Sequence, residues 1–333
     1  MTCITHSLRP LTRRAGLLAI GGGLAIGGLP LRALAQAPFD GPLHLVVGYA
    51  PGGATDRVAR IVGDRLAQKL GVPVVVDNKP GAGGRLAAQQ VRTTPAGQHV
   101  LMLANPAVML VAPLVFQDNG YDAERDFIPV SQVNEYDFGL AVAPGLPVRE
   151  LNHLLAWMRA NPRQANIGVP ATGSLPHFFA LMLGDQARVE TQVIGYKGSA
   201  PLLNDLLGGQ VPIAIDTADA LLPQHDAGKL RILAMSGARR SPFAPAVPTF
   251  REAGLDLAAS GWNTFFAPAG MPRDRIERLA VAIREVMQEP ETRRRFQDAL
   301  LVPVASTPAQ TAAMLAGYRA QWAPVVRKSG YQP

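Results

Sequence analysis

LHLVVGYAPGGATD, residues 43–56, is the stretch around which the rest of the chain is organised. Leu43, Leu45, Val46 and Val47 read as a short buried strand. Pro51, Gly52 and Gly53 break it, and Thr55 or Asp56 is placed to cap a helix whose apolar positions are Val58, Ile61, Val62 and Leu66. Their i, i+3, i+4, i+8 spacing is the stripe of a helix packed on a sheet. A strand, a glycine turn and a helix start leave unpaired backbone N–H groups at the positive end of a helix dipole, which suits an anion.

With 333 residues, 48% hydrophobic and 17% charged, the chain has the composition of a globular protein and the length of two domains. Residues 1–37 read as an export signal. Arg9, Arg13 and Arg14 precede an apolar run from Ala15 to Leu29, too short for a comfortable membrane span, and small residues follow at Ala33–Ala37, with cleavage after Ala35 or Ala37. Thr12-Arg13-Arg14 before Gly16-Leu17-Leu18 resembles a twin-arginine signal, a pairing that ordinary signals also contain. Loss of Arg9, Arg13, Arg14 and Arg32 lowers the net charge from +7 to +3, and the case for a nucleic-acid partner fades with it. The only cysteine, Cys3, leaves too, so no disulfide, thiol nucleophile or thiolate ligand is expected. No lipid-attachment cysteine follows the apolar run, and a soluble periplasmic protein is the expectation.

Further along, strands are expected at 72–76, 100–104, 138–142, 166–169, 189–194, 211–216, 230–236 and 262–267. Helices are expected at 85–91, 148–160, from about Pro176, at 273–288 and at 307–319. The alternation means α/β architecture with mostly parallel sheets covered on both faces. Two lobes fit the order, with crossings near Phe138–Pro144 and Ser260–Ala267. The expected division is 38–137 plus 263–333 for lobe 1 and 138–262 for lobe 2. A ligand would sit outside the carboxyl ends of the strands, where the loops converge.

No single residue demands catalysis. PGGATD lacks the spacing of a dinucleotide fingerprint or a P-loop, and Gly81-Ala82-Gly83-Gly84 lacks a third spaced glycine. Ser174 and His177 invite a serine-hydrolase reading, yet no G-x-S-x-G elbow surrounds Ser174, and a serine at a helix start is commonly a cap. Asp56 and Asp216 at strand ends could form an acid–base pair, or serve as a helix cap and a turn residue. Lys197 could meet an anion or lie solvated. The histidines form no metal-ligand cluster; no metal and no cofactor are expected.

Tyr49–Asp56 followed by Ala59-Arg60, then Asp77–Gly84, resembles the first signature pair of Bug-type receptors, the extracytoplasmic solute receptors of tripartite tricarboxylate transporters. The likeness continues through Asn161-Pro162, Gly173-Ser174, His177, Tyr196–Pro201, Asp205–Val211, Ala227–Arg231, Ser241-Pro242, Val247–Thr249 and Ala267–Gly270. It implies a two-lobed periplasmic-binding-protein fold (type II-like) with a hinge, and a non-enzymatic, monomeric receptor that closes on a small organic carboxylate and hands it to membrane permease subunits. A ligand-sensing partner of a signalling protein is the variant reading. Carried onto this chain, the family's carboxylate grip implies Gly52, Gly53, Ala54 and Thr55 from one lobe and Gly173 and Ser174 from the other. Tyr49, Asp56, Asn105, His177 and Lys197 are expected to complete the ligand-binding set, and Asp216 would orient a water or a ligand hydroxyl. Asn105–Met109 replaces a more polar stretch of the family, which implies a more apolar distal pocket and an aromatic or branched ligand. Thr217 stands where an asparagine often follows the aspartate.

Overall fold

The structure, a computed structural model, describes residues 39–332; the export-signal reading of residues 1–37 lies outside them. The first sheet is built by β1 (Leu43–Val47), α1 (Ala54–Leu70), β2 (Val74–Asn78), α2 (Arg85–Arg92), β3 (Val100–Ala104), α3 (Ala112–Val115) and β4 (Phe127–Tyr136). The chain then builds a second sheet from β5 (Phe138–Val142), α4 (Leu151–Ala160), β6 (Asn166–Val169), α5 (Leu175–Ala187), β7 (Gln192–Gly195), α6 (Ser199–Leu207), β8 (Ile213–Thr217), α7 (Ala218–Asp226) and β9 (Arg231–Met235). It returns through β10 (Gly261–Pro268), α8 (Arg273–Gln288), α9 (Pro290–Asp298), β11 (Val302–Pro303) and α10 (Pro308–Lys328).

The sheet orders are β11-β4-β10-β3-β1-β2 and β7-β6-β8-β5-β9. The result is a two-lobed α/β fold. In the first sheet β10 and the two-residue β11 run against the rest, and in the second sheet β5 does. Both β10 and β5 carry the chain in from the other sheet, so they meet their neighbours head to tail. Ser236 ties the two crossings together. Its hydroxyl donates to the Ala259 carbonyl at 2.6 Å and accepts the Phe138 N–H at 2.8 Å.

Both faces of the central strands are buried, as parallel sheets require, while the edge strands β2 and β7 stay partly exposed. On β1 and β3, Leu43, Leu45, Val47, Leu101 and Leu103 meet α1 and α8, while Val46, Met102 and Ala104 face the α2 side. On β5, Phe138 and Leu140 join the α4 and α5 side and Ala141 the α6 and α7 side. The helix α10 stacks Trp322 on Tyr318, and Tyr318 sets its edge on Trp262 of β10, so one apolar cluster runs past the crossings into both lobes.

β4 is absent from the sequence reading. Its inward positions include Ser131, Gln132 and Asn134, all buried, which breaks the hydrophobic signal. Pro129 sits where the β4–β10 register shifts, at a place where a strand can spare an N–H. α10 runs to Lys328, nine residues beyond the expected Arg319, because Trp322 and Val326 continue its buried stripe past Pro324. The glycine loop at 81–84 serves packing. A Cβ on Gly48 would lie 2.7 Å from the Gly84 Cα, so strand end and loop touch backbone to backbone.

Candidate functional site

α1 begins without a side-chain cap. Its N-cap is Gly53 in extended conformation, not Thr55 or Asp56 as the sequence reading expected. Gly52, Gly53 and Ala54 are exposed. The N–H groups of Ala54 and Thr55 lie in the first turn, which has no acceptor of its own within a helix, and no described side chain accepts from them. Thr55 instead turns its hydroxyl inward. It donates to Asn263 Oδ1 at 3.2 Å, and Asn263 Nδ2 donates to Asn134 Oδ1 at 3.1 Å, a buried polar chain from the helix start to the crossing strands β10 and β4. Asn263 and Asn134 were not singled out in the sequence, since nothing local distinguishes a strand asparagine from a turn asparagine.

Asp56 is 1% exposed and holds the turn in shape. Its carboxylate accepts the Gly52 N–H at 2.8 Å, two bonds from Arg60 at 2.9 and 3.0 Å, and one from Asn78 Nδ2 at 2.9 Å. Burial works against its ionisation, but the bonds from Arg60, Gly52 and Asn78 outweigh it and hold its pKa below the ordinary aspartate value. An acid so fully engaged has no proton to trade, so the acid–base pairing with Asp216 falls away. Gly52 also drops out as a donor, its N–H being spent on Asp56.

Tyr49 and Asn105 meet at 3.0 Å, phenol donating to amide oxygen, and the same oxygen accepts the Ala107 N–H at 3.1 Å. Burial pushes the Tyr49 phenol up to about 12, so it stays a neutral donor. After Asn105 the chain makes a π-helical turn, Ala107–Val111, in which Val108 and Met109 point into the core. They do not supply the apolar distal pocket that the sequence reading expected of them.

In the second lobe, β6 leads into the turn Pro170–Ser174 and then α5. Ser174 caps α5, accepting the His177 N–H at 3.4 Å and donating to the Ala171 carbonyl at 2.7 Å. The Gly173 N–H donates to His177 Nδ1 at 3.0 Å, and the Ser174 N–H to the Ala171 carbonyl at 3.3 Å. His177 is buried, which lowers its pKa, and an Nδ1 that accepts a backbone N–H carries no proton. The serine hydroxyl and the imidazole are each engaged with backbone and not with each other, so the hydrolase reading lacks its proton relay.

Asp216 closes β8 between the starts of α6 and α7, neither of which has a side-chain cap. It is fully buried. Oδ1 accepts the Thr217 N–H at 2.7 Å, while Oδ2 has no protein partner. Burial pushes its pKa up to about 6, the charge of Asp219 adds to the rise, and the bond from the Thr217 N–H opposes it. Lys197, in the loop before α6, is exposed and joins none of the described ion pairs. One contact across the lobes escaped the sequence entirely: Arg57 on the first turn of α1 donates to Asp219 on the first turn of α7 at 3.1 Å. Among the described residues no group of three or more metal-ligating side chains occurs. A separate groove at Arg92, Phe116 and Arg319 takes in Met109 and Leu110 of the π-helical turn, but none of the residues around the α1 start, the Gly173–Ser174 turn or Asp216.

Two sheets joined by crossing strands, with uncapped helix starts and spent catalytic candidates at their carboxyl ends, define a receptor that holds a small solute between two lobes. The sequence profile of the family described as tripartite tricarboxylate transporter family receptor matches residues 58–331, and the chain belongs to that family. Protein BugT of Bordetella pertussis is 33% identical over 316 residues, covering 94% of this chain and 97% of the relative. A UPF0065 protein of Bordetella bronchiseptica is 32% identical over 306 residues, covering 90% of this chain and 89% of the relative. Among solved structures, R. palustris Rpa4515 with adipate superposes with a TM-score of 0.80 at 31% identity, covering 88% of this chain and 99% of that one. MatC (Rpa3494) from Rhodopseudomonas palustris with bound malate gives 0.76 at 28% identity, covering 86% and 100%.

Proposed function

We propose that this periplasmic receptor captures a small organic carboxylate between its lobes and delivers it, as a monomer, to a membrane permease of the tripartite tricarboxylate type. The lobes would be residues 38–137 plus 263–333 and residues 138–262, and residues 1–37 would be the export signal that puts the protein in the periplasm. The uncapped, exposed start of α1 carries the reading: Gly53, Ala54 and Thr55 offer N–H groups to a carboxylate at a positive helix end. The two solved relatives with adipate and malate support the ligand class, since both are dicarboxylates. On the second lobe, Asp216 and the uncapped starts of α6 and α7 would orient water or ligand hydroxyls. Ordered waters in the cleft would let one scaffold accept different ligand shapes.

Mass spectrometry of small molecules released from the purified, denatured protein tests the reading, with thermal melts in the presence of carboxylates alongside. A carboxylate in the released fraction and a ligand-dependent rise in Tm are expected. Release of a sugar or an amine, with no carboxylate raising Tm, would overturn it.

A further inference from the structure

The turn that ought to grip a ligand from the second lobe has no spare donor at Gly173 or Ser174. Gly173 N–H goes to His177 Nδ1, Ser174 N–H and Oγ–H both go to the Ala171 carbonyl, and the hydroxyl's accepting side takes His177 N–H. Another group stands over the same turn. Gly173 has φ of +75°, and a Cβ built there would lie 3.0 Å from the Tyr331 hydroxyl and 2.9 Å from its ring. Tyr331 is held in that place from three directions. Its ring meets His177 edge-on at 5.4 Å and Phe178 at 5.9 Å. Its N–H donates to Ser329 Oγ at 3.1 Å, and Ser329 Oγ donates to the Val326 carbonyl at 2.6 Å, which fixes the turn at the end of α10. Lys328 pairs with Asp185 at 2.6 Å and pins that end of α10 to α5.

The Tyr331 hydroxyl itself makes none of the described hydrogen bonds, and the residue is only half-buried. A phenol fixed by ring packing at the mouth of a turn, with its O–H unspent, is a preorganised donor for an anion. We infer that Tyr331 is a ligand-binding residue, its O–H donating to the carboxylate of the solute in place of the backbone N–H groups of Gly173 and Ser174. The inference rests on the reading that the solute lies between the α1 start and the Gly173–Ser174 turn. It also gives α10 a part in recognition, because a helix anchored in the first lobe brings the donor to the second.

Calorimetric titration of the full protein with malonate, succinate, adipate, malate and citrate tests this, using wild type, Tyr331→Phe and Gly53→Val. A hydrogen bond to a charged group amounts to roughly a 10- to 100-fold change in Kd. Tyr331→Phe should weaken the best of these acids by that factor, with the Tm of the ligand-free protein unchanged, since the ring contacts remain. Gly53→Val should weaken it as well. Wild-type affinity in Tyr331→Phe beside a loss in Gly53→Val would overturn the role of Tyr331 and leave the site intact. Wild-type affinity in both, or no binding of any of the acids by the wild type, would overturn the site itself and this inference with it.

Discussion

The Arg57 guanidinium reaches the Asp219 carboxylate at 3.1 Å, and the helices that carry them pack on different sheets. Arg57 is about half exposed and Asp219 mostly covered, with side-chain exposures of 49% and 14%. The pair therefore contributes in the range of half-exposed ion pairs, about 0.5–1 kcal/mol, which is a two- to fivefold bias toward the arrangement in which the two helices meet. Arg57→Gln and Asp219→Asn should each raise the open population of the ligand-free receptor, and the double variant should go no further than either alone. Small-angle scattering or inter-lobe fluorescence transfer at low and high salt reads this, and high salt should mimic the variants in wild type. Fully additive single variants would mean that the two charges act independently.

Gly53 and Gly173 respond differently to a side chain. Gly53 has φ of −71° and ψ of 169°, a conformation open to any residue, and a Cβ there meets only the Ala50 carbonyl at 3.5 Å. Gly53→Val should therefore fold normally, with Tm within about 2 °C of wild type, while its bulk stands over the α1 amides and weakens ligand binding. Gly173 carries positive φ and lies against Tyr331, so Gly173→Ala should cost about 1–2 kcal/mol of stability before any effect on binding is read. Denaturant unfolding and ligand titration on both variants separate the two behaviours. Equal losses of stability in both would contradict the backbone argument.

Much of this architecture was legible because strong local signals coincide with elements. β3, β5, β6 and α8 fall on the expected residues, being either continuous apolar runs or a clean 3.6-residue stripe. The glycine turns were legible too, as breaks between such runs. What the sequence hid arises from side chains that meet over long separations. The Asp56 hub could be read only as a cap, because its partners Gly52 and Asn78 lie in a turn and on another strand. Thr55, Asn263 and Asn134 join across 208 and 129 residues, and Arg57 meets Asp219 across 162. Tyr331 reaches the Gly173 turn only because α10 runs on past Pro324, a residue that reads as a helix end.

Asp56 should be the most sensitive acid of the first turn. Removing its carboxylate strands the buried side of Arg60 and frees the Gly52 N–H and Asn78 amide that shape the Pro51–Gly53 turn. Asp56→Ala should lose about 3 kcal/mol of stability, in the range of a broken buried ion pair discounted for the exposed Arg60, together with ligand affinity. Asp56→Asn, which keeps one acceptor oxygen, should lose less. Because the folded pKa lies below the ordinary value, the stabilisation is fully present above about pH 4 and disappears as pH falls through the lower folded value. Urea unfolding between pH 2 and 7 checks this: the variants should lack the steep acid limb that Asp56 gives the wild type.

Asp216 has the opposite sign. Its pKa is pushed up to about 6, chiefly by burial, so the folded chain holds a proton that the unfolded chain releases near pH 4. Between those two values the native state binds more protons than the unfolded state, and the contribution of this group to stability falls as pH rises. Asp137, half-buried beside Glu135 at the crossing from β4 to β5, is also pushed up to about 6 and acts in the same direction, so a residual slope should survive any change at Asp216. Asp216→Asn keeps an acceptor for the Thr217 N–H and removes the buried charge. It should match wild type at pH 4 and exceed it by about 2–3 kcal/mol at pH 7.5, where wild type has to hold a buried carboxylate ionised above its raised pKa. Loss of a negative charge from the second lobe should also raise affinity for an anionic solute at pH 7.5 while leaving it nearly unchanged at pH 4.5. Unfolding and titration at both pH values give the answer. A variant less stable than wild type at pH 7.5 would mean that Asp216 is ionised and satisfied in the folded receptor, with a donor on Oδ2 that outweighs its burial.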